Sequence, residues 1–68
     1  MGNKNKPFLD GQARFMAVYP NLPRPERRNV CCVIQGEPYS WHAVFREVEA
    51  NTEFSKLMLT TLVSMEII

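Results

Sequence analysis

The architecture of this chain turns on residues 12–36, QARFMAVYPNLPRPERRNVCCVIQG, in which two apolar runs flank a proline-rich, arginine-rich segment. The first run, residues 12–19, is rich in aromatic and branched side chains and stops at Pro20, which predicts a strand. Pro20, Pro23 and Pro25 follow within six residues, and three prolines so close together cannot sit in a helix interior, so residues 20–28 read as a stiff surface loop. The second run, residues 29–35, predicts another strand ended by Gly36. Strand, loop and strand most simply make an antiparallel hairpin. Its loop exceeds the roughly 2 to 5 residues common in hairpins, and that surplus draws attention to it as a place for function.

Working outward, residues 39–50 admit two readings. With period 2, Tyr39, Trp41, Ala43 and Phe45 alternate with polar residues, and Gly36 with Glu37 would turn the chain into a third strand. With period 3.6, Trp41, Val44, Phe45 and Val48 form a helical stripe with Ser40 as N-cap. The helix is preferred because Ala43, Arg46, Glu47, Glu49 and Ala50 mostly favour it. Further on, Phe54, Leu57, Met58, Thr61, Leu62 and Met65 share one side of a second helix, capped by Asn51 or Thr52. At 100° per residue its stripe is turned by about 115° from that of Trp41, so the chain must break near Asn51.

The expected fold class is therefore α+β: an antiparallel β-hairpin, with a three-stranded sheet as the variant, packed by one or two C-terminal helices. Residues 1–10, polar and carrying Gly2 and Pro7, are expected to be a flexible N-terminal arm, and residues 11–68 a single small domain. Sixty-eight residues bury only about 60% of the surface of the unfolded chain, so the core is small. The 46% hydrophobic and 22% charged content are nevertheless those of a folded protein.

Alternation along the two expected strands makes both sheet faces apolar, with Met16, Val18 and Val33 on the face the short C-terminal helices would leave bare. That excess predicts a homodimer or another protein partner on the spare face.

Cys31 and Cys32 are expected to be packing residues. Neighbours on a strand point to opposite faces, the spacing is not C-x-x-C, and two cysteines and one histidine are too few for a structural zinc site. Two cysteines without a signal peptide fit a reducing, cytoplasmic setting better than a disulfide scaffold. The longest apolar runs fall far short of the roughly 18 residues a membrane span needs. Gly2 suits N-myristoylation, but Lys6 occupies the place of the required serine or threonine.

His42 lies off the apolar stripe with no cluster around it, Glu47 and Glu49 point apart, and Gly2, Gly11 and Gly36 are isolated, so no catalytic residue, metal ligand or cofactor site is predicted. Pro20 to Pro23 spells PxxP, but a connecting loop is the better reading, since Pro25 occupies the place where a flanking arginine is sought.

The net charge of +1 conceals a division. Residues 1–28 hold six cations against two acids, a net +4, and residues 29–68 hold two against five, a net −3. Arg14, Arg24, Arg27 and Arg28, with Lys4 and Lys6, are candidates for a cationic edge that meets an acidic protein surface, including that of a second copy. The same edge, with Tyr19 stacking on a base, carries the alternative of a small nucleic-acid-binding regulator, which a pI near 7.8 makes the weaker one. A non-enzymatic binding protein is the functional expectation.

Overall fold

The computed structural model describes residues 7–68, with side-chain surroundings from Asp10 onward. The chain runs through α1 (Pro7–Val18), two 3₁₀ turns (Tyr19–Asn21 and Arg24–Arg28), β1 (Val30–Ile34), β2 (Glu37–Ser40), α2 (Trp41–Ala50) and α3 (Glu53–Ser64). It is an α+β fold in which a two-stranded antiparallel hairpin is followed by two C-terminal helices, with one more helix ahead of it.

That leading helix corrects the reading of residues 12–19 as a strand. Gln12, Ala13, Arg14, Met16 and Ala17 are helix formers or close to neutral, and the buried positions Gly11, Phe15 and Tyr19 recur every four residues, as on a helix. Ala17, which alternation would place beside Phe15 and Tyr19, is exposed. Asp10 and Arg14 pair at 3.0 Å one turn apart, a contribution of only a few tenths of a kcal/mol. Pro7 stands in the first turn, where its missing N–H has no partner to lose. Residues 7–10, expected in the arm, thus belong to α1, and residues 1–6 lie outside the described ones. Met16 and Val18 consequently sit on a helix while Val33 sits on β1, so the three do not share one sheet face.

β1 lies within the expected second strand, but its partner is β2. Gln35 and Gly36 turn the chain with φ of 54° and 80°, the two positive values of a type I′ hairpin, and glycine takes the second without strain. The register pairs Ile34 with Glu37 and Cys32 with Tyr39, then Val30 with Ser40, so Cys31 is the extra residue of a β-bulge.

Residues 39–50 divide between the two readings: Tyr39 and Ser40 finish β2, and α2 starts at Trp41. Ser40 caps α2, its Oγ accepting the Ala43 N–H at 3.1 Å, and Val44 and Val48 are buried with Trp41 and Phe45 half-buried beside them, the expected stripe. The break falls at Asn51, left-handed at φ 55° and ψ 46°, and Thr52 caps α3 by accepting the Ser55 N–H on Oγ1 at 3.0 Å.

The buried arc of α3 is Ser55, Met58, Leu59 and Leu62, turned by roughly 80° from the expected stripe at 100° per residue. Leu57 and Met65 are 43% and 63% exposed. The cause is α1, which packs on the Leu59 side: a Cβ on Gly11 would fall 3.1 Å from both Leu59 Cβ and Val63 Cγ2, so the two helices approach through the glycine. Between the elements lies one core. Phe15, Val44, Met58 and Leu62 are fully enclosed, and Cys32 and Ile34 join them from the hairpin. Val30 and Val33, at 57% and 58% exposure, face solvent. Among the described residues no helix is long and apolar enough to cross a membrane.

Candidate functional site: an arginine-lined cleft

Pro20 stops α1, and Asn21 closes its end by donating from Nδ2 to the Ala17 carbonyl at 2.8 Å. The chain then re-enters helix at Arg24 with Pro25 in the first turn. A 3₁₀ helix repeats every three residues, so Arg24 and Arg27 project from the same side and Arg28 lies next to them.

These three arginines line an open cleft of about 520 Å³ together with Tyr19, Ser40 and His42. Four of the predicted binding residues therefore converge there: Tyr19, Arg24, Arg27 and Arg28. Arg14 does not join them, being engaged with Asp10 and with the Ile68 carbonyl at 3.4 Å. Met16, Val18 and Val33 are not part of the lining, and Lys4 and Lys6 lie outside the described residues.

The arginines differ in what they do. Arg27, half-buried, donates from Nε to the Leu22 carbonyl at 3.1 Å and from Nη2 to the Pro20 carbonyl at 3.2 Å, and its guanidinium carbon lies 4.7 Å from the centre of the Tyr19 ring. It is locked to its own loop. The side chains of Arg24 and Arg28 are exposed and make no hydrogen bond or ion pair with another described residue. The loop's only acid, Glu26, accepts from Asn29 Nδ2 at 3.0 Å and does not line the cleft. Three arginines thus line one cleft that has no carboxylate in its lining, an arrangement that favours an anion.

Tyr19 is the floor of the site and corrects one expectation. It is only 6% exposed, stacked on Phe45 at 4.4 Å with an angle of 5° and on Phe15 at 5.6 Å, with Arg27 also over the ring. Its faces are occupied, so it has no free face for a nucleic-acid base. What it offers is its hydroxyl, 3.1 Å from His42 Nδ1. With that hydroxyl donating, the neutral imidazole carries its proton on Nε2 and remains a donor.

Ser40 and His42 were not predicted site residues. Their local roles are legible, as N-cap and second residue of α2, but their meeting with the loop is not, because 23 residues separate Tyr19 from His42. The hairpin brings them together: Trp41 N–H donates to the Asn29 carbonyl at 3.1 Å, clamping the start of α2 to the end of the loop.

Cys31 and Cys32 are free thiols, half-buried and buried. The bulge breaks the alternation that would have set them on opposite faces. Burial, then the neighbouring Cys32, pushes the Cys31 thiol up to about 12, and burial raises Cys32. Both stay protonated at neutral pH, whereas nucleophiles and metal ligands work as thiolates. Among the described residues no three His, Cys, Asp or Glu side chains gather to hold a metal.

Compared with known proteins, the chain matches no family model, no curated protein and no solved structure. Any functional assignment rests on the cleft.

Proposed function

We propose that this is a small non-enzymatic binding protein that engages an acidic protein surface, or the acidic half of a second copy, through the arginine-lined cleft. One observation carries the reading: Arg24, Arg27 and Arg28 converge with Ser40 and His42 on a cleft that no carboxylate lines. Two of the three guanidinium groups have no partner among the described residues, so they are available to a ligand without first breaking an internal contact. A cytoplasmic, reducing setting belongs to the same reading and is supported by the two free thiols.

The test is a backbone NMR titration of the full chain with a Glu-rich peptide at low salt, alongside sedimentation equilibrium. Saturable shifts in residues 24–28 and 40–43, lost in Arg24→Ala/Arg28→Ala, or oligomers that dissociate on adding salt, support the reading. A monomer that shows neither sinks it.

The same convergence of arginines favours a second reading, contact with a nucleic-acid backbone, although the covered Tyr19 ring removes its stacking platform. DNA affinity that falls steeply with salt and disappears in the same double variant would favour it.

A further inference from the structure

We infer that the group held by the cleft is a phosphate monoester on a side chain of a partner protein, such as phosphoserine or phosphothreonine; this rests on the binding role proposed above and names its ligand.

The lining is rich in donors. Arg24, Arg28 and the outer edge of Arg27 share it with the His42 ring and with Ser40, whose Oγ spends one of its two acceptor lone pairs on the Ala43 N–H and keeps its O–H to donate. A carboxylate offers such a set two oxygens and one charge. A phosphorylated side chain offers three acceptor oxygens and a charge of about −1.5 to −2 at neutral pH, the better match to three cations. Guanidinium suits this partner because its rigid fork binds phosphate oxygens two at a time. Arg27 is already held by two carbonyls and the Tyr19 ring, so part of the ordering cost is met before the ligand arrives.

The shape of the site points to a macromolecular carrier. Sites for small molecules enclose most of their ligand, whereas this cleft is open. Further contact must come from outside it. The exposed Val30, paired in register with the lining residue Ser40, offers apolar surface next to the arginines. Between the two macromolecular carriers of phosphate, a protein fits better than a nucleic acid. The aromatic floor is covered on its faces, so no ring is free to stack on a base, and a chain of net charge +1 lacks the strong basicity of a dedicated nucleic-acid binder.

The experiment is an NMR titration of the full chain, following backbone amides and the arginine Nε–Hε signals, with four probes: a capped Gly-Gly-phosphoserine-Gly-Gly peptide, its serine and glutamate counterparts, and a short oligothymidylate. The phosphopeptide is expected to shift residues 24–28 and 40–43 and to bind at least about tenfold more tightly than the glutamate peptide, because phosphate brings a larger charge and a third acceptor oxygen. Arg24→Ala/Arg28→Ala should abolish that preference, Arg24→Lys/Arg28→Lys should restore it only in part, and Arg46→Ala, outside the cleft, should leave it unchanged. Equal affinity for the phosphoserine and glutamate peptides overturns the phosphate assignment while leaving the binding role intact. Tighter binding of the oligothymidylate overturns it in favour of nucleic acid. No saturable shift with any anionic probe at millimolar concentration overturns both.

Discussion

Two connections in this molecule solve the same problem in opposite ways. Between α2 and α3 the chain turns in two residues, and the polar groups there are consumed by the turn. The Asn51 N–H bonds back to the Glu47 and Val48 carbonyls, Thr52 Oγ1 accepts from the Ser55 N–H and donates to Glu47 Oε1 at 2.6 Å, and the buried Ser55 Oγ donates to the Thr52 carbonyl at 2.6 Å. Between α1 and β1 the chain takes a longer course, stiffened by three prolines and held by Asn21, by the Asn29–Glu26 contact and, of its three arginines, by Arg27 alone. Arg24 and Arg28 are surplus to its structure. A connection whose charged groups exceed its own structural needs is where a binding surface can arise at little cost to the fold.

The contrast can be broken most forcefully at the seat of the loop. Tyr19→Ala removes the ring that packs on Phe45 and Phe15 and carries Arg27, and is expected to cost about 3 to 5 kcal/mol, most of the stability of a domain this small. Loss of far-UV circular dichroism or a large fall in the urea midpoint checks it, and an unchanged midpoint would show that the loop is not seated on the core at all. In the tight corner, Thr52→Ala is expected to cost about 1 to 2 kcal/mol through loss of the N-cap, and Thr52→Ser should recover most of it. Arg27→Ala should come lower, at about 1 kcal/mol, since it gives up partly exposed contacts to two carbonyls and a ring. The smallest effect sharpens the comparison furthest: Arg24→Ala and Arg28→Ala should each shift stability by less than about 0.5 kcal/mol in urea unfolding. A loss as large as that of Arg27→Ala in either one would mean that these side chains belong to the fold and not to a ligand.

Much of the local grammar was legible beforehand. Ser40 and Thr52 announce helix starts because a hydroxyl can satisfy a first-turn N–H only a few atoms away. The break at Asn51 was expected from two stripes about 115° apart, but the observed arc of α3 lies only about 40° from that of α2, so what carries the break is Asn51 itself, which tolerates the left-handed backbone; the strand at β1 follows from a branched, apolar run ended by a glycine. Residues 12–19 misled because eight residues with aromatics and branched side chains resemble a strand when the helical spacing of Gly11, Phe15 and Tyr19 is not taken together. With that run read as a strand there is no helix to pack against Leu59, and hydrophobicity alone then points to a different arc of α3 from the one that α1 buries.

The candidate site divides along the same line. That Arg24, Arg27 and Arg28 are available on a stiff loop is a property of local sequence, because proline denies the segment any regular strand or long helix. That Arg14 stands apart, that Tyr19 is covered, and that Ser40 and His42 complete the cleft depends on the hairpin folding the start of α2 back onto the loop. The bulge at Cys31 likewise depends on the register slip opposite Ser40 and Tyr39.

Taken by itself, then, the sequence determined the α+β class, the caps, the break at Asn51 and the cationic character of the loop, all of which arise from backbone and side-chain chemistry within a few residues. The helical state of α1, the buried arc of α3, the bulge at Cys31 and the closure of the cleft were decided by tertiary structure. Which face is buried, and which distant groups meet, is set by partners that lie too far along the chain for local chemistry to specify.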